Sequence, residues 1–249
     1  MKRLLYLGVI YFFAASLFSG CEKITTGGIS SMRYYPAITL QGAAAITINE
    51  GDSYVDPGAT AEQNGVALDV VTTVTSRYFG YSGSTIDNNK PDDYFINYTA
   101  TNDEGHSATA SRVVTVRPHQ GDFVTTIDGL YLANVSRTPS QGTVSATADF
   151  GPIMVIQVSG NTYVMTDGIG GYYTFGRGLG DSYLAPGATF TADMVNNVGT
   201  PGPDYTVNTF GGVVSMTNII IDPVNKRITF SAVWDAGYTF NVTMKQIQN

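Results

Sequence analysis

Apolar and polar residues alternate with a period of two along most of this chain. Tyr94, Ile96, Tyr98 and Ala100 are interleaved with Phe95, Asn97, Thr99 and Thr101. The turn-forming stretch "NDEGH", Asn102 to His106, then leads into "SATASRVVTV". Successive side chains of a strand point to opposite faces, so this pattern predicts a hairpin of two half-buried strands. Ile46 and Ile48 predict an earlier strand, closed by a turn at Glu50-Gly51-Asp52, and "DVVTTVTSRY" from Asp69 predicts another.

The second half shows the same period. "PIMVIQVSGNTYVMTDGIGGYYTFGRG" reads as three strands joined by Ser159-Gly160-Asn161 and by the glycine-rich Asp167–Gly171. Near the end, Ile228, Phe230, Ala232 and Trp234 share one face of a strand, and Tyr238, Phe240, Val242 and Met244 share one face of its partner. Asp222-Pro223-Val224-Asn225 and Asp235-Ala236-Gly237 turn the two hairpins. Thr, Ser, Asn and Lys fill the alternate positions, as expected of an antiparallel meander with one buried face. About eight such strands either close into a barrel, which removes the sheet edges, or stack as a sandwich. No segment holds a helical period over three turns; "TFTADMVNNVG", Thr189 to Gly199, is read as a short helix or a loop turn. The fold class expected is therefore all-β.

The N-terminus breaks the pattern. Lys2 and Arg3 precede an apolar run from Leu4 to Phe18, and Ser19 and Gly20 are small. This is the layout of an export signal, and the run is short for a membrane span. Residues 1–20 are assigned to the signal. The single cysteine of the chain, Cys21, follows at once. A lone cysteine in an exported chain has no disulfide partner. Residues 21–35, with "TTGGISS", read as a flexible tether. "VRPHQGDF", from Val116 to Phe123, interrupts the strand pattern with Pro118 and Gly121 and sets the expected boundary between a domain at 36–118 and one at 122–249.

Three resemblances sharpen this reading. "FSGC" resembles the bacterial lipoprotein signal, with Phe18 where Leu is commonest. The resemblance implies that Cys21 becomes the mature N-terminus and is acylated; each methylene buried in a bilayer contributes about 0.8 kcal/mol. "EGDSYVDPGATA" followed by "NYTATNDEGHSATASRVVTV" resembles bacterial immunoglobulin (Ig)-like repeats of surface proteins, over Ala37 to Val116. That implies a β-sandwich in which Ala100 stands where the strand-F cysteine is common. The order of lipobox, Ig-like domain and C-terminal meander with "DGIGGYY" resembles two-domain surface lipoproteins of Bacteroidota. It implies an outer-membrane anchor, a cell-surface location, and association with SusC/SusD-like nutrient importers.

Composition narrows the function. Loss of Lys2 and Arg3 with the signal takes the formal charge from −7 to −9, and no basic block appears, which argues against a nucleic-acid partner. Catalytic groups are sparse. His106 lies in the "NDEGH" turn and His119 at the boundary, neither with a second histidine at metal-ligand spacing. The four glutamates all precede residue 122, and most aspartates beyond it sit beside Gly or Pro, where they make turn bonds. Asp87, Asn88, Asn89, Asp92 and Asp93 form one polar loop and Asn102-Asp103-Glu104 another; turn chemistry accounts for both, with calcium as the alternative. No catalytic residue, metal site or cofactor is assigned. Aromatic residues around glycine are the better lead. Tyr172, Tyr173, Phe175 and Tyr183, with Arg177 among them, offer rings and a cation to a glycan or peptide. Adjacent Tyr172 and Tyr173 on a strand would place at least one ring outside the core. Tyr78, Phe79 and Tyr81 make a similar, weaker case. The expected function is a non-enzymatic, ligand-binding or scaffolding accessory of a nutrient uptake system. A structural or adhesive surface role is the main alternative, and a divergent Asp-based hydrolase is a further one.

Overall fold

The computed structural model describes residues 33–139 and 146–248. Cys21, the signal 1–20 and nearly all of the tether lie outside the described residues. Residues 35–249 form one compact unit.

The N-terminal part is a sandwich of two small sheets. One is ordered β1 (Ala37–Leu40), β3 (Ala59–Gln63), β4 (Val66–Leu68). The other is ordered β2 (Ala45–Asn49), β8 (Ser107–Arg117), β7 (Asp92–Thr101), β5 (Val71–Ser76), β6 (Ser82–Gly83). β7 and β8 form the expected hairpin, with Thr101 opposite Ser107, and β2 joins β8 in parallel. Val74, Tyr94, Ile96, Tyr98, Val114 and Val116 make a small buried core.

A polar cluster links strands β7 and β8 to the segments beside β1 and β3. Arg112 on β8 is wholly buried and pairs with the Asp56 carboxylate. It also donates to the Tyr98 hydroxyl at 2.6 Å and to the backbone carbonyls of Ala43, at 2.8 Å, and Gln41. Tyr98 in turn donates to both Asp56 oxygens, at 2.6 and 2.7 Å. Burial pushes the Asp56 carboxyl up, but bonds from Tyr98 and the Gly58 N–H and the Arg112 charge outweigh it and hold the group below its ordinary value.

The C-terminal part is an eight-stranded antiparallel barrel, which decides between the two architectures left open by the sequence. Its ring runs β13 (Val198–Pro201), β12 (Ala188–Asp193), β11 (Thr162–Met165), β10 (Ala146–Ser159), β9 (Gly129–Thr138), β17 (Tyr238–Gln246), β16 (Arg227–Trp234), β15 (Gly211–Asp222). Val198 opposite Ile220 and Gly199 opposite Ile219 close it, and β14 (Tyr205–Val207) adds to the far end of β15. Tyr131, Ala133, Val135, Ile228, Phe230, Ala232, Phe240, Val242 and Met244 face inward and fill the interior. Outward positions such as Asn134, Ser136 and Asn241 are polar and exposed. That is the reverse of a barrel whose outer wall meets lipid.

Two expected elements differ. Thr189 to Gly199 is not a helix but a hairpin: β12 and β13 pair there, and the Asp193 carboxylate accepts the N–H groups of Val195 and Asn196 to make the turn between them. The third strand expected at "GGYYTFGRG" is a π-helical turn, Tyr172–Gly176, followed by a 3-10 turn at Asp181–Tyr183. The long β11–β12 connection folds into the barrel. At Gly170, where φ is +66°, an added Cβ would lie 2.8 Å from side chains of both Val135 and Val242. Only a residue without a side chain lets the chain pass so close to β9 and β17.

Candidate functional site

A concavity lies where the sandwich meets the barrel wall, and the loop Arg77–Tyr81 helps to build it. Asp92, at the start of β7, is buried, and its carboxylate accepts the backbone N–H groups of Arg77, Tyr78 and Phe79, each at 3.1 Å. One carboxylate therefore fixes three consecutive peptides. Burial raises its pKa despite bonds from Ser76 and these amides. The loop so held divides its side chains. Tyr78 is buried against Met154, Ile156, Val164 and Leu184 of the barrel's outer wall, and burial pushes its phenol up to about 12. Arg77 bridges Asp93 at 2.6 Å and Asp181 of the β11–β12 connection at 3.0 Å. Phe79 is 45% exposed.

Phe79, Tyr81, Lys90, Pro91 and Tyr94 from the sandwich and Ile156, Val158 and Val164 from the barrel line a cleft of about 580 Å³. Its volume falls in the range of small-molecule sites. The rings are fixed by their polar ends: Tyr81 donates to the Thr85 carbonyl at 2.6 Å, and Tyr94 to the carbonyls of Asp87 and Lys90 at 3.0 Å. The two rings meet edge to face at 5.6 Å. Glu50, Asn89, Lys90, Asp92, Gln157 and Thr189 add charge and hydrogen-bonding groups to a mainly apolar lining.

The residues singled out in the sequence divide differently. None of Tyr172, Tyr173, Phe175, Arg177 and Tyr183 lines the cleft. Tyr172 and Tyr173 are both buried in the barrel, with their rings 5.1 Å apart. The expectation that one must leave the core assumed a strand; in a tight helical turn neighbouring side chains need not oppose each other. Phe175 and Tyr183 are half-buried against the core, and Arg177 is exposed at the end of the turn. Tyr78, Phe79 and Tyr81, the weaker lead, supply the seam and the cleft. The barrel wall was missed, although its signal was present: in "PIMVIQV" Ile153 and Val155 face the barrel core while Met154 and Ile156 face outward, so both faces are apolar. Outward apolar residues repeated along one strand of a water-exposed barrel point to a partner that covers them.

The polar clusters are used internally. Asp93 holds Arg77 and accepts from Thr115, and Asp87 pairs with Lys90 at 3.4 Å. Asn102 accepts the N–H groups of Glu104 and His106. Among the described residues no three His, Cys, Asp or Glu side chains converge as metal ligands. His106 stacks on Tyr35 with ring centres 5.2 Å apart, and His119 lies 3.8 Å from Glu50 beside a smaller hollow of about 320 Å³.

A family model described as "Bacterial surface protein, Ig-like domain" matches residues 38–116, and a second, for a C-terminal domain, matches residues 120–246. The chain belongs to the family that shares this C-terminal domain, here carried behind the surface Ig-like domain. Neither model describes a catalytic family. Among solved structures the fold is similar to that of the lipoprotein BT2262 from Bacteroides thetaiotaomicron, at 22% identity and a TM-score of 0.55, covering 85% of this chain and 100% of that one. No curated protein matches the sequence.

Proposed function

We propose that this protein is a lipid-anchored outer-membrane surface protein. Its role is that of a non-enzymatic accessory subunit, which holds a glycan or oligopeptide for a nutrient importer of the SusC/SusD type. The Ig-like surface domain, the lipobox at Cys21 and the likeness to a solved lipoprotein support the location. The observation that carries binding is the cleft: three rings from one domain face three aliphatic side chains from the other around about 580 Å³. Stacking on fixed rings suits sugars and apolar side chains alike, and each ring is worth about 1 kcal/mol.

The test measures binding of glycan and oligopeptide panels to the full-length protein and to Phe79→Ala. Phe79 is exposed, so its loss is expected to weaken binding several-fold with the thermal midpoint nearly unchanged. Absence of any ligand overturns the binding role and favours the adhesive alternative; full affinity in Phe79→Ala and Tyr81→Ala overturns the cleft as its site; cleavage of a panel member favours the hydrolase. The anchor is checked separately. Cys21→Ala is expected to leave the membrane fraction or stall as precursor, and retention with fatty-acid labelling overturns the lipobox reading.

A further inference from the structure

The two buried arginines among the described residues are treated in opposite ways. Arg112 has a carboxylate, a phenol and backbone carbonyls around it. Arg137 is the last inward-facing residue of β9 and only 4% exposed, yet it forms no ion pair among the described residues. Its Nη1 donates to the Tyr173 hydroxyl at 3.2 Å, and its guanidinium carbon stands 4.3 Å from the centre of the Tyr238 ring and 5.5 Å from that of Tyr172. Nε and Nη2 are buried with no partner, and so is the Tyr172 hydroxyl. A cation withdrawn from water with open donors is costly unless something pairs with it.

The open atoms are chemically specific. Nε and Nη2 lie along one edge of the planar guanidinium and together form the fork that takes both oxygens of a carboxylate. The Tyr172 hydroxyl supplies a further donor of the same barrel end. Flat rings continue outward from there. Phe210 meets Tyr173 edge-on at 4.9 Å, and Tyr183 lies 4.7 Å from Phe210. Trp234 lies 6.0 Å from Phe210 and 5.8 Å from Tyr238. Phe210 is 47% exposed and sits just before Gly211 and Gly212, both at positive φ, in the turn between β14 and β15.

We propose that this end of the barrel is a second binding site, separate from the interdomain cleft, for a small ring-bearing carboxylate. Arg137 grips the carboxylate through Nε and Nη2, Tyr172 adds a hydrogen bond, and the rings around Phe210 and Tyr238 take the flat face. An acidic sugar and an aromatic acid share this chemistry, and the probes separate them.

Trp234 is the only tryptophan of the chain and stands among these rings, so its fluorescence reports on this site. Glucuronate and benzoate are titrated into the full-length protein, with glucose and sulfate as controls. Saturable change in Trp234 emission is expected with glucuronate, benzoate or both, and with neither control. Whichever acts names the source of the carboxylate. Arg137→Gln is expected to abolish the response and Arg137→Lys to weaken it at least tenfold, because an ammonium has no fork. Should Arg137→Gln not fold, Tyr172→Phe keeps the ring and is expected to weaken binding several-fold. Phe79→Ala is expected to change nothing here, which separates this site from the cleft. No response to either carboxylate, an equal response to sulfate, or wild-type titration by Arg137→Gln or Tyr172→Phe overturns the proposal.

Discussion

Asp167 is a carboxyl group enclosed in the barrel with a polar shell of its own. It is wholly buried and accepts the Ile169 N–H at 3.0 Å and the Thr174 hydroxyl at 3.3 Å. Burial wins over these bonds and raises its pKa to about 6. In the unfolded chain the group titrates near its ordinary value of 3.8. The folded state thus binds the extra proton, and stability falls as pH rises between about 4 and 6, levelling off above the folded pKa. The difference corresponds to about 3 kcal/mol. Asp167→Asn carries no charge at any pH. Denaturant unfolding at pH 4 and pH 7 is expected to show a smaller loss of stability for Asp167→Asn than for the native chain. Equal losses in the two proteins would mean that Asp167 ionises freely where it sits. Asp92 and Asp128, also raised by burial, act in the same direction in both proteins and cancel from the comparison.

At the level of elements, legibility followed how many residues share the burden of a pattern. The β7–β8 and β16–β17 hairpins were readable because each repeats one alternation over eight or more positions, and their registers hold without a break. A one-residue slip would turn every core side chain outward. The β11–β12 connection offered no such redundancy. Tyr172 and Tyr173 looked like a strand with one ring to spare, and the three glycines around Ile169 looked like a connection between strands. Glycines that admit the chain into a barrel and glycines that loosen a surface loop are the same letters. The candidate site was half legible for a related reason. Phe79 and Tyr81 stand out by composition, but the aliphatic half of the cleft comes from β10 and β11, far away in sequence. The turn gives a direct test. Tyr172→Ala is expected to cost about 3–5 kcal/mol, a drop in thermal midpoint on the order of 10 °C, as for other large-to-small core changes. Arg177→Ala, on the exposed end of the same turn, is expected to stay within about 0.5 kcal/mol. Comparable drops for the two would show that the turn is not seated in the barrel core.

For the whole molecule the question is how far sandwich and barrel depend on each other. The link at Pro118 to Gly121 is short, and the seam is built from few parts, chiefly Tyr78 in its apolar socket and Arg77 between Asp93 and Asp181. The barrel core contains thirty buried residues and the sandwich core six, so their intrinsic stabilities differ. A core of six relies on the Arg112–Asp56–Tyr98 cluster and on what it leans against. We therefore expect fragments 36–117 and 122–249 each to unfold cooperatively, the sandwich at a clearly lower temperature. Neither is expected to respond to a reducing agent, since the one cysteine lies before both. In the full-length protein, docking stabilises the sandwich through the socket that Tyr78 fills. Tyr78→Ala empties that socket without touching either core, and the interaction it removes is made only when both domains are folded. Calorimetry of the variant is expected to show the sandwich transition moved down toward that of the isolated fragment, with the barrel transition unchanged. Proteolysis at the 118–121 link is expected to quicken in parallel. If the sandwich transition stays where it is in the native chain, the seam contributes nothing to stability. The cleft beside it would then be a gap between two independent bodies, with no fixed shape to offer a ligand.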